Sequence, residues 1–375
     1  MAVFGLPDPA PPVPPAAEPE PAPSRVSGFR ILCARLLIGW IVLICAEVFS
    51  GASLRPGLWS PWTILLTYWL YFAHFFFFTT LAVRTGRTSL SALYLWGVLF
   101  GLYESWITKV IWSGYDGGGK FAMGRIGPYG FSEISMVFFF HPLVSFLLPL
   151  AIGCLLFPPL RRSFPDLARF TGKSAAARIA QIYATIAFAA ILGMNSGGPL
   201  NLALNLGFAL MVLFLLLRLA QPARSGSDGS PVFVFGRRGF PALCVYLALL
   251  YGVSYFAIRP EGLPSAGVQL LTFVFYALAI AGLWMHRRRP PVGPDQAAVE
   301  SREGRLIVQL FAAVLILGFA VSVFGLNPVL EVFILLTFIL WTFSGFGFAL
   351  AALARAIRES AGKFRTATES PASKR

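Results

Sequence analysis

Charge is scarce in this sequence. Only 12% of its 375 residues are Asp, Glu, Lys or Arg, about half the share of a soluble globular domain. That is too little polar surface to coat a particle in water, and a 57% hydrophobic composition with 36 Phe points to an exterior that faces lipid. Histidine is rarer still, with three in the chain. There is no H-E-x-x-H run and no adjacent glutamate pair, which excludes the metalloprotease patterns. The four cysteines, Cys33, Cys45, Cys154 and Cys244, include no C-x-x-C pair and lie in or beside apolar runs. They read as small packing residues, without a disulfide framework or zinc site. No metal site is expected, and nothing in the sequence indicates a cofactor. The run Gly117-Gly118-Gly119-Lys120 is too short for a phosphate loop, and Ser344 lacks the full glycine-flanked elbow of a serine hydrolase. No internal repeat and no family motif is recognisable.

What is abundant is apolar helix. The expected fold class is all-α, a polytopic transmembrane helix bundle of about ten spans. They lie near 31–50, 61–83, 90–112, 134–157, 176–194, 199–219, 240–258, 266–286, 306–325 and 330–352. Each is long enough for a hydrocarbon core of about 30 Å. Two connections are very short, at 195–199 and at Asn327-Pro328. The organisation expected is a disordered, Pro-rich cytoplasmic tail at 1–28, the bundle at 29–352 and a basic cytoplasmic tail at 353–375. The first 24 residues carry no positively charged segment, so they do not read as a signal peptide.

The net charge of +14 would suggest nucleic-acid binding in a soluble protein. In a membrane chain, positive charge fixes topology instead, so no nucleic-acid partner is expected; the lipid bilayer is. With the N-terminus inside and ten spans following, 25 of the 30 basic residues fall in cytoplasmic segments. The outer side keeps Arg55, Lys109, Lys120, Arg125 and Arg259. Such alternation supports an even number of spans and both termini in the cytoplasm, at the cell membrane. The acidic residues divide differently. Ten lie on the cytoplasmic side, and Glu47, Glu104, Asp116, Glu133, Glu261 and Glu331 lie toward the outer side. The polar chemistry is therefore expected to open outward.

Glu104 is the most informative residue. It lies in the third span about 12 Å below the outer boundary, where an ionisable group costs about 2.5–3.5 kcal/mol and should face protein or water. Gly97, Gly101, Glu104 and Thr108 recur at helical spacing on one face, and Gly97-x-x-x-Gly101 is a small-residue packing surface. The carboxyl should thus lie where a neighbouring helix approaches closely. His141-Pro142 opens the fourth span at a similar depth. Pro142 frees the carbonyl of Phe138, so a kinked helix with a polar notch is expected. Glu47, near the outer end of the first span, could join this pair, and Lys109, Tyr103 and Asp116 complete the candidate set. Lys109 lies about 140° around the helix from Glu104 and is expected to snorkel outward beside Trp106 and Trp112. Arg35 is expected to snorkel at the cytoplasmic end. His74 reads as a buried histidine bonded to one neighbour. Asn201 and Asn205 share a face and either extend a polar cavity or cross-link helices. The loop 113–133, with seven glycines, is either a connector or a lid.

These observations favour a secondary transporter or permease with an outward-opening polar site in the first four spans. Its ligand would be a small molecule, an ion or a lipid. A membrane-embedded enzyme acting on a lipid or lipid-linked substrate at the outer face is the second reading, and a non-catalytic scaffold or assembly factor the third. The absence of an internal repeat counts against a typical carrier.

Overall fold

A computed structural model describes residues 27–54, 57–113, 124–169, 174–224, 230–290, 301–325 and 327–369. Asp116, nearly all of the Pro-rich 1–28 stretch and most of the 113–133 loop lie outside the described residues. What is described is almost entirely helical. Ten long helices stand where the apolar runs predict spans: α1 Gly28–Val48, α2 Thr63–Thr85, α3 Leu90–Thr108, α4 Phe131–Leu156 and α5 Ala175–Asn195, α6 Pro199–Arg224, α7 Gly239–Ala257 and α8 Ala266–Met285, α9 Ser301–Phe324 and α10 Asn327–Glu369. Among the described residues nine are long and apolar enough to cross a membrane, and the described apolar part of α9 is shorter, Gln309–Phe324. A two-residue antiparallel ribbon, Arg125–Ile126 with Tyr129–Gly130, precedes α4.

Local sequence explains the ends of these helices. Ser89 and Ser174 cap α3 and α5, their hydroxyls accepting from Ala92 N at 3.3 Å and Ala177 N at 3.1 Å. The turn between α5 and α6 uses positive φ at Gly197 and Gly198, a backbone region that glycine enters without strain.

Hydrogen bonds between connections sort the bundle into two ends. At one, Asn195 donates to the Ser50 carbonyl at 2.9 Å and Asn201 to Leu54 at 2.8 Å. Asn205, fully buried, accepts from Leu58 N at 2.7 Å. The asparagines thus serve as cross-links between helices rather than as cavity lining, although Asn195 also reaches the cavity described below. At the other end Arg84 donates to Phe235 O at 2.6 Å and Arg289 pairs with Asp166 at 2.5 Å. Glu359 there accepts from Arg287 N at 2.9 Å. This second end carries the arginine-rich connections.

The helices are unequally buried. In α1 and α3, 78% of the apolar window is inside the protein, against 17% in α6 and 22% in α7 and α10. Helices α1–α4 therefore form the centre. The later helices wrap it and present side chains such as Leu204, Phe214, Phe256, Trp284 and Phe343 to the surroundings, the belt a bilayer requires.

Three local expectations change. The third span does not run unbroken to Trp112. It stops at Thr108, Lys109 takes φ 59°, and a separate turn covers Val110–Ser113. Lys109 does not snorkel either. It is buried, and its ammonium donates to Ile258 O at the end of α7 and, at 2.8 Å, to Ser254 O, which also accepts from Ile258 N at 3.1 Å. Arg35 turns inward as well. It donates to Val232 O and Val234 O at 3.2 Å and lies 4.0 Å over the Phe235 ring. The short segment it holds, Ser230–Phe233, is tucked into the bundle, with Phe233 fully buried.

Candidate functional site

The site begins with an approach of backbones. A Cβ on Gly97 would fall 2.6 Å from Pro142 Cα, and one on Gly101 would fall 2.9 Å from His141 Cβ. Only glycine permits α3 and α4 to meet this closely. One turn along the same face, Glu104 Oε2 comes within 3.3 Å of His141 Nε2. That contact is an ion pair when the ring is protonated, and it lies outside hydrogen-bonding geometry. The ring is held by Ser145 Oγ, 3.2 Å from Nδ1. Pro142 is accommodated by winding Met136–Leu147 as π-helix, a rare form that is frequent at functional sites. The Phe138 carbonyl lies 2.7 Å from the Tyr94 hydroxyl, which is also 2.9 Å from Gly345 O. One hydroxyl proton can serve only one of the two carbonyls at a time.

Glu47 joins this pair from α1. It sits in a second π-helical stretch, Ile44–Val48, and accepts from Ser53 Oγ at 2.6 Å. The Tyr71 hydroxyl of α2 hydrogen-bonds Glu47 and lies 3.5 Å from Glu104 Oε1. A phenol has one proton, so with both carboxyls ionised it can donate to only one of them. A proton on either carboxyl completes the set, because the protonated group can then donate to the phenol oxygen. Ser53, Glu47, Tyr71, Glu104, His141 and Ser145 thus form a string of exchangeable groups.

A further carboxyl, Glu133, opens α4. It is fully buried, and neither of its oxygens has a hydrogen-bond partner among the described residues. Glu133 borders the same cavity as Glu47, Glu104 and His141, a space of about 1010 Å³. The polar groups at its base come from α1–α4, as the sequence suggests. The walls also take residues from α5 and α10, and Arg259 and Glu331 come from the second half of the chain.

The other candidates lie apart. Tyr103 packs among rings, with Tyr276 at 4.8 Å and Tyr251 at 5.3 Å. Lys109 caps α7 as described. His74 bonds two neighbours rather than one, Leu70 O at 2.7 Å and Tyr251 Oη at 2.5 Å. Cys45 is fully buried beside Glu47. Among the described residues no group of three or more His, Cys, Asp or Glu could hold a metal ion.

Comparison with known proteins adds a family but no chemistry. A protein of Archaeoglobus fulgidus that carries the name "Uncharacterized protein" is 28% identical over 249 residues, covering 65% of this chain and 74% of its own length. No solved structure matches the chain. Residues 36–364 match the family described as "Uncharacterized membrane protein family", a stretch that takes in nine of the ten helices whole or nearly so and every residue of the cavity, and the chain is a member of that family.

Proposed function

We propose that this integral membrane protein is a proton-coupled secondary transporter whose coupling groups are Glu104 and His141. The observation that carries the reading is their 3.3 Å approach at the base of a cavity, with Glu47 linked to them through Tyr71. An intramembrane carboxyl is costly unless it has a task. A carboxyl and an imidazole in contact can pass a proton between them as solute enters and leaves. The groups that face the pair are Glu47, Tyr71 and Glu133 at the base, Arg259 and Glu331 at the rim, and His74 behind Tyr103. The π-helical turns on α1 and α4 supply elements whose winding can change without breaking the bundle.

The orientation belongs to the same reading. The cavity end faces outward and the arginine-rich end faces the cytoplasm, in accord with the distribution of basic residues. The test is reconstitution into vesicles containing a pH-reporting dye, presented with a panel of cationic, zwitterionic, anionic and neutral solutes. At least one solute should drive a pH change in the wild-type protein, and Glu104→Gln should abolish it. Proton movement by no solute, or equal movement in Glu104→Gln, rejects the reading.

A second reading rests on the apolar cavity wall, which includes Trp62, itself exposed just before α2. A lipid-linked substrate could enter there, with His141 as acid or base. It predicts an altered lipid profile in a deletion strain, restored by the wild-type gene but not by His141→Ala.

A further inference from the structure

We infer that the cavity takes a primary amine on an apolar body. This inference rests on the transport reading for its purpose, but on separate observations for its chemistry. The first is Glu133. A fully buried carboxylate without a single donor costs several kcal/mol unless a cation balances it. Both Glu133 oxygens lack a partner among the described residues, and the side chain borders the cavity. The second is the balance of charge around the space. Glu47, Glu104, Glu133 and Glu331 line it, against Arg259 and, when protonated, His141. Glu47 and Glu133 each feel the charge of Glu104.

A balancing cation could be a proton, a metal ion or an organic ammonium group. A hard metal ion takes about six oxygen ligands in a tight shell, and the described residues offer no such cluster. The wall answers what the body of the ligand is. Trp62, Leu66, Leu70, Ile334, Leu335 and Phe338 belong to its largely apolar wall, and an apolar group gains by covering them. Glu133 also needs donors, not charge alone, because its two oxygens make no hydrogen bond. A primary ammonium has three N–H donors, whereas a quaternary ammonium has none. The amine is therefore favoured over its trimethylated analogue. It would take the place of a proton at the acid cluster, which makes exchange of amine for proton the natural coupling.

The experiment is equilibrium binding to the purified full-length protein in detergent. The probes are benzylamine, benzyltrimethylammonium, benzyl alcohol and phenylacetate. Benzylamine should bind saturably and more tightly than benzyltrimethylammonium, and the other two should not compete. Glu133→Gln should weaken benzylamine by about tenfold or more, the value of a charge-assisted hydrogen bond. Arg259→Gln removes the rim cation and should tighten it, a result that does not depend on the Glu133 variant folding. Equal binding of benzylamine and benzyl alcohol, or an unchanged affinity in a folded Glu133→Gln protein, overturns the inference. If benzylamine binds through Glu133 while no solute moves protons, the amine site stands and the transport reading falls. If an anionic or neutral solute moves protons and benzylamine does not bind, the reverse holds.

Discussion

At the scale of single residues, the chain uses its few charged groups as internal connectors. Lys109 is the clearest case. A lysine beside two tryptophans near a span end ordinarily reaches for the interface, but the αL turn at its own backbone points it at the end of α7. Nothing in the local sequence announces that turn, because φ 59° at a lysine is set by the partner it meets. Replacing it with methionine keeps the stem and removes the donors. Lys109→Met should lower stability by about 1–3 kcal/mol, the cost of leaving the Ile258 carbonyl without its donor. Thermal unfolding in detergent measures this, and an unchanged midpoint would show the cap to be idle. Glu133 escaped attention for a related reason. It precedes His141 by eight residues, which on an α-helix sets the two roughly 80° apart. The π-helical turns between them alter that phase. A helix-periodicity argument could link Glu104 to Gly101 and to its neighbour across the interface, but not Glu133 to His141.

At the scale of elements, contact between α3 and α4 positions the pair, and the sequence marked its two surfaces without joining them. Gly97 and Gly101 marked the packing face, His141-Pro142 marked the irregular helix, and the structure joins the two. The partner of the face was not readable, since any of the other helices could have supplied it. Two glycine substitutions with opposite outcomes test the packing. At Gly97 an added methyl would meet Pro142 Cα at 2.6 Å, a backbone atom that can move only with its helix. Gly97→Ala should therefore destabilise by about 1–3 kcal/mol. At Gly252, within α7, an added methyl meets nothing within 4 Å. Gly252→Ala should be neutral or stabilise by up to about 1 kcal/mol, because alanine has less backbone freedom to lose. The melting midpoint of Gly97→Ala should fall below the wild type, and that of Gly252→Ala should lie at or above it. A matched loss in both would mean that the close approach at Gly97 does not govern stability.

At the scale of the whole molecule, the bundle has two chemically different ends, and that difference is what the bilayer would read. The connections α2–α3, α4–α5, α6–α7 and α8–α9 all carry arginine, whereas among the described residues Arg259 is the sole Lys or Arg on the cavity wall. Span positions could be read from the sequence because a helix that must bury its backbone in hydrocarbon needs a long apolar run. The division into a buried centre of α1–α4 and a surrounding belt could be read only in part, since the polar residues of the first half hint at it and hydropathy does not. Orientation follows from charge alone, and it can be checked without knowing the substrate. In a cysteine-free background, Gly118→Cys lies in the α3–α4 connection and Ser227→Cys in the α6–α7 connection. If the arginine-rich end is cytoplasmic, a membrane-impermeant maleimide should label the first in intact cells and the second only after permeabilisation. The opposite pattern would invert the protein and turn the Glu104–His141 cavity toward the cytoplasm. Labelling of both from outside would break the alternation itself, because it would require one of the helices from α4 to α6 to lie in the membrane without crossing it.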